Sequence, residues 1–410
     1  MTENDILVLP DGWRWVRLGD VVAEALPGFA SGERDPKGVV QLRMNNLDTR
    51  GNLSLSEFIR VPADEATIAR YQLQAGDVMF NNTNSVELVG KTALFFGYTE
   101  PVVYSNHFTR LRAKPDQLEP RYLASWILSQ WQSHTFERIC NRWIGQSAVK
   151  NDKLLGLKIP LPPLDEQRRI AAILTHQLAV VERARTAAHA QLEAAKALPA
   201  AYLRAVFESE EAQAWPLRSL DSLCEIQLGK MLSPKSKTGL RSRPYLRNTN
   251  VQWNRFDLSD IAEMDFSDQE ERKFALREGD LMVCEGGEPG RSAVWAGEIA
   301  PCYYQKALHR LRPINNSIDP HFLMYRLWLG AFSAEFFDSQ AKTTIAHLPA
   351  VRLASLKVGV PSLSDQQHIA ARLNEQMASV ECTRQALQTQ LDSINQLPAA
   401  LLRQAFEGQL

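Results

Sequence analysis

Apolar residues recur at alternating spacings of four and three along Leu174, Leu178, Val181, Arg185, Ala188, Leu192 and Ala195. The same spacing returns along Leu373, Met377, Val380, Arg384, Leu387, Leu391 and Ile394. This is a heptad seam, and a seam so narrow predicts a helix that packs against another helix. The first run is introduced by Pro160-Leu161-Pro162-Pro163-Leu164-Asp165-Glu166-Gln167-Arg168-Arg169-Ile170. Residues before proline are pushed out of the α region, so a helix starts after Pro163, with Asp165 placed as its N-cap and Glu166 adding charge at the positive end of the dipole. Neither Gly nor Pro interrupts until Pro199. The second start is Val360-Pro361-Ser362-Leu363-Ser364-Asp365-Gln366-Gln367-His368-Ile369. Chain order makes the pair antiparallel, and about 29 residues at 1.5 Å each give a spacer of roughly 43 Å. Two helices each packed on their own globule is the competing arrangement. Arg185 and Arg384 interrupt the seam at matching positions, and Glu182 and Glu381 lie one turn before them. Crossed pairs, Glu182 with Arg384 and Glu381 with Arg185, would fix register, whereas solvent-seeking arginines would not.

The stretches before the two helices carry short apolar runs broken by Gly, Asn, Asp and Pro, which read as strands and turns. They also repeat. Leu42-Arg43-Met44-Asn45-Asn46 returns as Leu246-Arg247-Asn248-Thr249-Asn250. Gly76-Asp77-Val78-Met79 returns as Gly279-Asp280-Leu281-Met282. Gly90-Lys91-Thr92-Ala93 returns as Gly290-Arg291-Ser292-Ala293, and Arg110-Leu111-Arg112 as Arg310-Leu311-Arg312. Arg121 to Phe136 and His321 to Phe337 read as amphipathic helices closing each stretch. A period near 200 residues is a duplicated domain rather than a solenoid. The expected fold class is therefore α+β: a globule over 1–160, a helical spacer over 161–211, a second globule over 212–360 and a second helical spacer over 361–410, related by an internal pseudo-two-fold.

Composition narrows the function. The chain has 410 residues, 45% of them apolar, enough for real cores. Five scattered cysteines without zinc-like or thioredoxin-like spacing point to a reduced, cytoplasmic protein. No signal-peptide pattern and no apolar run of transmembrane length are present, so no membrane partner is expected. With 46 Lys and Arg against 47 Asp and Glu, an electrostatic partner would have to be met by a local basic face.

Catalytic patterns are missing. Gly90-Lys91-Thr92 resembles the end of a phosphate-binding loop, but Ser85 stands where the loop needs Gly, and the second copy reads Gly290-Arg291-Ser292. No glycine-rich cofactor loop follows a strand. His107, His134, His309 and His321 lack metal-like partners at short spacing, so no catalytic or metal residues are expected.

Polar loops are the alternative. Asn, Gln and Arg read purine edges in the major groove, and Lys and Arg meet phosphates. In the first copy the candidate DNA contacts are Arg43, Asn45, Asn46, Asn82, Asn84, Lys91, Asn106 and His107. In the second they are Lys235, Lys237, Arg243, Tyr245, Arg247, Asn248, Asn250, Arg291 and Lys306. The run from Lys230 to Arg255 contains seven cations and no Asp or Glu. Loops rich in Asn and Gly are equally ordinary turn material.

The signature Ile159 to Ile170, together with the duplication, resembles the specificity subunit of type I restriction–modification systems, and the resemblance covers essentially the whole chain. The second start departs from it, with one proline lost and Gln366-Gln367 where Gln167-Arg168 stand. The resemblance implies two target recognition domains, each on one half of an asymmetric bipartite DNA site, separated by an antiparallel coiled coil that serves as a ruler. It implies a non-catalytic subunit whose partners are double-stranded DNA, two modification (methyltransferase) subunits and restriction/translocase subunits. S-adenosylmethionine, ATP and Mg belong to those partners, with no cofactor on this chain. It assigns Leu174, Leu178, Val181, Arg185, Leu192, Leu373, Met377, Val380, Arg384, Leu387 and Leu391 to the coil and subunit interface. A two-headed protein–protein adaptor is the other reading of the residues.

Overall fold

The computed structural model describes residues 9–233, 239–333 and 347–410. Two compact units are present, Met1–Ala188 together with Gln390–Leu410, and His189–Thr389. Each takes part of each long helix.

In the first unit a four-stranded antiparallel sheet runs in the order Val22–Pro27, Phe108–Ala113, Val78–Asn81, Thr92–Leu94. Side chains alternate between the faces of a strand. Val78 and Phe80 therefore join Tyr122, Leu123, Trp126 and Ile127 of the helix Pro120–Gln132 in one core. Met79 joins Val40, Leu42 and Tyr104 in another, contributed by a three-stranded sheet in the order Ile59–Val61, Val39–Leu42, Val102–Tyr104. Burial on both faces explains the continuous apolar run at Val78-Met79-Phe80. The second unit repeats the plan. Its sheet orders are Cys224–Leu228, Leu308–Pro313, Leu281–Cys284, Ser292–Val294, and Ala262–Asp265, Ser242–Leu246, Tyr303–Tyr304.

The closing helices are shorter than the periodicity predicts. The first ends at Gln132, because His134 adopts a left-handed conformation at φ 56° that cannot continue an α-helix, and Thr135–Ile139 form a separate turn. The second is Pro320–Phe332, and residues 334–337 lie outside the described residues.

The long helices are Leu164–Phe207 and Leu363–Phe406, 44 residues each. Both continue through Pro199 and Pro398, so the 29-residue spacer stops short of the true ends. Asp165 is not the N-cap but lies in the first turn, where its carboxylate meets Arg168 (3.0 Å). The second helix has a side-chain cap where the first has Pro163: the Asp365 backbone N–H donates to Ser362 Oγ (3.2 Å).

The seam is buried at Leu174, Val181, Leu192, Leu373, Met377, Val380 and Leu391, with Leu178, Arg185, Arg384 and Leu387 half-buried. Its antiparallel sense is visible inside each unit. In the first unit Leu174, near the start of one helix, shares a core with Leu402, Ala405 and Phe406, at the end of the other. In the second unit Leu203 and Val206 share a core with Ala370, Leu373 and Met377. The crossed Glu–Arg pairs are replaced by pairs within each helix. Arg185 is held by Glu182, and Arg384 by Glu381 (2.7 Å), because residues three apart on a helix face one another.

One residue of the signature does more than the helix start requires. Gln167 is fully buried. Its Nε2 donates to the carbonyls of Pro162 and Gln117 (both 2.9 Å), and its Oε1 accepts from the Glu119 N–H (2.9 Å). Gln366 accepts from the Asp319 N–H (2.8 Å) and donates to Pro361 O (2.9 Å). In each copy the glutamine fastens the start of the long helix to the start of the closing helix.

A buried histidine stands in the second unit alone. His309 is fully buried, with Nε2 3.0 Å from Leu348 O, where the first copy has Thr109. Burial pushes its pKa down, opposed in part by that hydrogen bond. The folded pKa therefore lies below an unfolded value of about 6.5. Stability from the neutral ring is complete above that value and is lost as pH falls below it toward the folded pKa. Resistance of the second unit to urea should fall as pH drops below about 6.5, and His309→Thr should flatten the slope. An unchanged slope in the variant would remove His309 as its source.

Among the described residues no helix is long and apolar enough to cross a membrane.

Candidate nucleic-acid interface

The two loop systems that the residue types single out are built alike. A short 3-10 turn, Met44–Asn46 in the first unit, is closed by Asn46, which accepts from the Arg43 N–H (2.8 Å) and donates to Ser54 O (2.9 Å) and Glu57 O (2.6 Å). In the second unit Asn250 accepts from the Arg247 N–H (2.8 Å) and donates to Asp257 O (2.9 Å) and Asp260 O (3.0 Å). Both side chains are buried and fully engaged with backbone, so neither reads DNA.

The cation after each repeated glycine, Gly90 and Gly290, belongs to the same construction. Gly90 is required where it stands: φ is +91°, and a Cβ would lie 2.3 Å from the Phe136 ring. The next residue, Lys91, is buried, and its Nζ donates to Met44 O (3.2 Å) and Leu47 O (2.7 Å). Burial pushes its pKa down. Arg291 donates to Asn248 O (2.9 Å) and pairs with Glu288 (3.1 Å). Both cations clamp the carbonyl of the first residue of the 3-10 turn, and neither is offered to phosphate. Asn82 is also buried, donating to Asn106 O (3.3 Å) and Thr109 Oγ1 (3.1 Å). Asn84 donates to Asn81 Oδ1 (2.6 Å) and accepts from the Ser85 N–H (2.8 Å).

With the turn closed from within, Arg43 and Asn45 are exposed, and they line a shallow cleft with Glu57 and Phe58. Asn106 is exposed and His107 half-buried. The His107 pKa is pushed down by burial and by the nearby Arg43 guanidinium. Arg43, Asn45, Asn106 and His107 are the outward-facing remainder of the first unit's candidates.

The basic run of the second unit meets acids from the segment that follows it. Lys230 pairs with Glu270 (2.7 Å), Arg243 with Glu271 (3.1 Å), Arg247 with Asp260 (2.7 Å) and Arg241 with Asp268. Tyr245 is buried, and Asn248 serves through its carbonyl. Lys306, in the place of Asn106, is exposed. Lys235 and Lys237 lie outside the described residues. Four of the run's seven cations are thus met by acids from the segment that follows.

Arg43 and Lys91 should now separate in experiment. Arg43→Ala should lower the salt slope of duplex binding by about one, as for a lost phosphate contact. Lys91→Ala should leave that slope alone and destabilise the first unit by about 1–3 kcal/mol, because two carbonyls lose their donor. The reverse pattern would restore Lys91 as the contact.

The segment Asn141–Ala148 was passed over by residue-type reasoning. It is a hairpin whose strands Asn141–Trp143 and Gln146–Ala148 pair with each other, and the second of them also pairs with Thr83–Asn84. The available cue was Trp143-Ile144-Gly145, two apolar residues and a turn glycine flanked by Asn141, Arg142, Gln146 and Ser147. Among the described residues no cluster of His, Cys, Asp and Glu comes together as a metal site would.

Comparison with known proteins places this architecture. The family model for the type I restriction modification DNA specificity domain matches twice, over residues 10–190 and 213–392. The EcoBI specificity subunit of Escherichia coli is 23% identical across 99% of this chain and 88% of its own length. A 175-residue stretch is 31% identical to a Methanocaldococcus jannaschii protein carrying the name of a type I restriction enzyme MjaX specificity subunit. That match spans 42% of this chain and 41% of the relative. The crystal structure of the HsdS subunit from Thermoanaerobacter tengcongensis superposes over all of both chains with a TM-score of 0.67 and 24% identity. A chain from a structure addressing assembly and conformational transition of the type I R-M system superposes with a TM-score of 0.75 and 23% identity, over 98% of this chain and 100% of that one. At these identities the superpositions establish the fold.

Proposed function

Because the chain belongs to the type I restriction–modification DNA specificity family, we propose that it is the non-catalytic subunit that directs such a complex to an asymmetric, bipartite DNA site. Each globule reads one half-site. The long helices hold the two readers at a fixed separation, and their duplicated starts receive two modification subunits. Those partners carry S-adenosylmethionine and methylate an adenine flipped from the duplex. Restriction/translocase subunits, with ATP and Mg, add cleavage. The complex works in the cytoplasm.

The observation that carries this reading is the pair of like-built turns bearing unlike outward side chains. The same clamp, glutamine fastener and strand order recur, yet Asn45 is answered by Thr249, Asn106 by Lys306 and His107 by Ala307. One scaffold presenting two sets of polar groups suits two different half-sites. Methylation sequencing of the host with and without this gene tests it. Deletion should erase adenine methylation from one split, non-palindromic motif. An unchanged methylome would sink the proposal.

The pairing of four cations of the basic run with acids favours a second reading, a two-headed adaptor for polypeptides. Duplex binding by the complex that competitor heparin removes but a specific site resists would exclude it.

A further inference from the structure

The hairpin Asn141–Ala148 carries its most apolar residues at its tip. Trp143 pairs with Gln146, the turn is Ile144–Gly145, and Gly145 has φ +76°. Trp143 is 59% exposed and Ile144 106%. Two adjacent large apolar side chains held out in solvent mark a contact surface rather than a packing site. The base of the hairpin is rigid. Ser147 and Ala148 pair with Asn84 and Thr83, and the Val149 N–H donates to Asn82 O (2.9 Å). Asn82 in turn donates to Asn106 O (3.3 Å). The base of the hairpin is thus joined through Asn82 to the loop that presents Asn106 and His107. Arg142 lies within the hairpin, and Arg138 and Lys150 flank it in sequence; all three are exposed. An apolar tip on such basic flanks matches a stacked, polyanionic duplex better than an apolar protein groove.

We propose that Trp143 and Ile144 form a wedge that enters the base stack of the half-site read by the first globule. This rests on the DNA-reading function above. Ile144 parts a base step, Trp143 stacks on the base face so exposed, and the surrounding cations meet the flanking phosphates. The sequence of the second copy offers no matching pair of large apolar residues. The bridge between Thr83 and Ala148 has its counterpart between Gly286 and His347, and the Leu348 N–H donates to Glu285 O as Val149 does to Asn82. Counting back from there, Lys342 and Thr343 occupy the sequence places of Trp143 and Ile144.

The test uses the whole complex, this chain with its modification subunits, on duplexes bearing the site found by methylation sequencing. 2-Aminopurine replaces adenines in turn across both half-sites. Apart from the adenine that the modification subunits flip in each half-site, fluorescence should rise at one further step of the first half-site and at none of the second. The double variant Trp143→Ser/Ile144→Ser should abolish the rise and weaken binding about 10- to 100-fold. A mismatch placed at that step should restore its binding to within a few-fold, since the stack is already opened. Trp143→Phe/Ile144→Leu should bind and unstack like the parent. A parent complex that binds specifically without a rise beyond the flipped adenines, or a serine variant that binds the intact site normally, overturns the wedge. So does a serine variant that no longer assembles with the modification subunits, which would make the tip a protein interface. A parent complex with no specific duplex binding fails at the DNA-reading function itself.

Discussion

Replacing Asp77 by alanine should remove about 3–5 kcal/mol from the first unit, and Asp280→Ala the same from the second. The Asp77 carboxylate is almost fully buried. It takes both Nε and Nη2 of Arg112 (each 2.7 Å) and also the Gln74 N–H (2.7 Å). Asp280 repeats the arrangement with Arg312 (2.7 and 2.6 Å) and the Arg277 N–H (2.8 Å). Removing the acid strands a guanidinium against the sheet and leaves a turn N–H without its acceptor, and each such loss is costly. The melting temperature of the altered unit should fall by on the order of 10 °C. Asn, which keeps an acceptor but not the charge, should fall in between. A loss below about 1 kcal/mol would put the pair among ordinary surface ion pairs.

Inserting one heptad into both long helices should abolish modification of the natural site and create recognition of a longer one. The chain passes between units after Ala188 and again after Thr389. Seven residues inserted at both places nearly preserve the phase of the seam, which drifts by only about 20° per heptad. They add roughly 10.5 Å, close to three base pairs at about 3.4 Å each. Methylation sequencing should return both half-sites unchanged with a gap about three base pairs longer. Inserting four residues instead shifts the seam and should lose activity without a new motif. An unaltered gap after the heptad insertion would rule out the helices as the ruler.

What could be read from the chain beforehand followed the range of the forces involved. The seam from Leu174 to Ala195 and the two-sided strand at Val78 to Phe80 depend on neighbours a few residues away, and periodicity reveals them. Polar side chains were misread because their partners are distant. Lys91 resembles a surface base until Met44 O and Leu47 O close on it. Arg243 and Arg247 belong to a run without acids, yet Glu271 and Asp260 lie against them. Residue type marked Asn46 and Asn250 as polar readers, whereas the backbone of their own turns absorbs every bond they offer. Arg43, Asn45, Asn106 and His107 remain on the surface because those neighbours are engaged inward. Gln167 escaped notice in the most distinctive stretch of the chain, since nothing local distinguishes a fastening glutamine from a solvated one.

The share of each unit contributed by distant parts of the chain bears on the order in which the protein can be made. Residues His189–Thr389 are one continuous piece and can close on themselves as soon as they have left the ribosome. The unit that is translated first must wait. Its core includes Leu402, Ala405 and Phe406, with Phe406 edge-on to Tyr122 at 5.2 Å, and Arg169 donates to the Leu410 carbonyl (2.7 Å). The second unit should therefore mature before the first, reversing the usual amino-to-carboxyl sequence of events. A stop codon near residue 390 would injure the half farther away along the gene, while a circular permutant joining 390–410 ahead of the first unit would free that half from waiting.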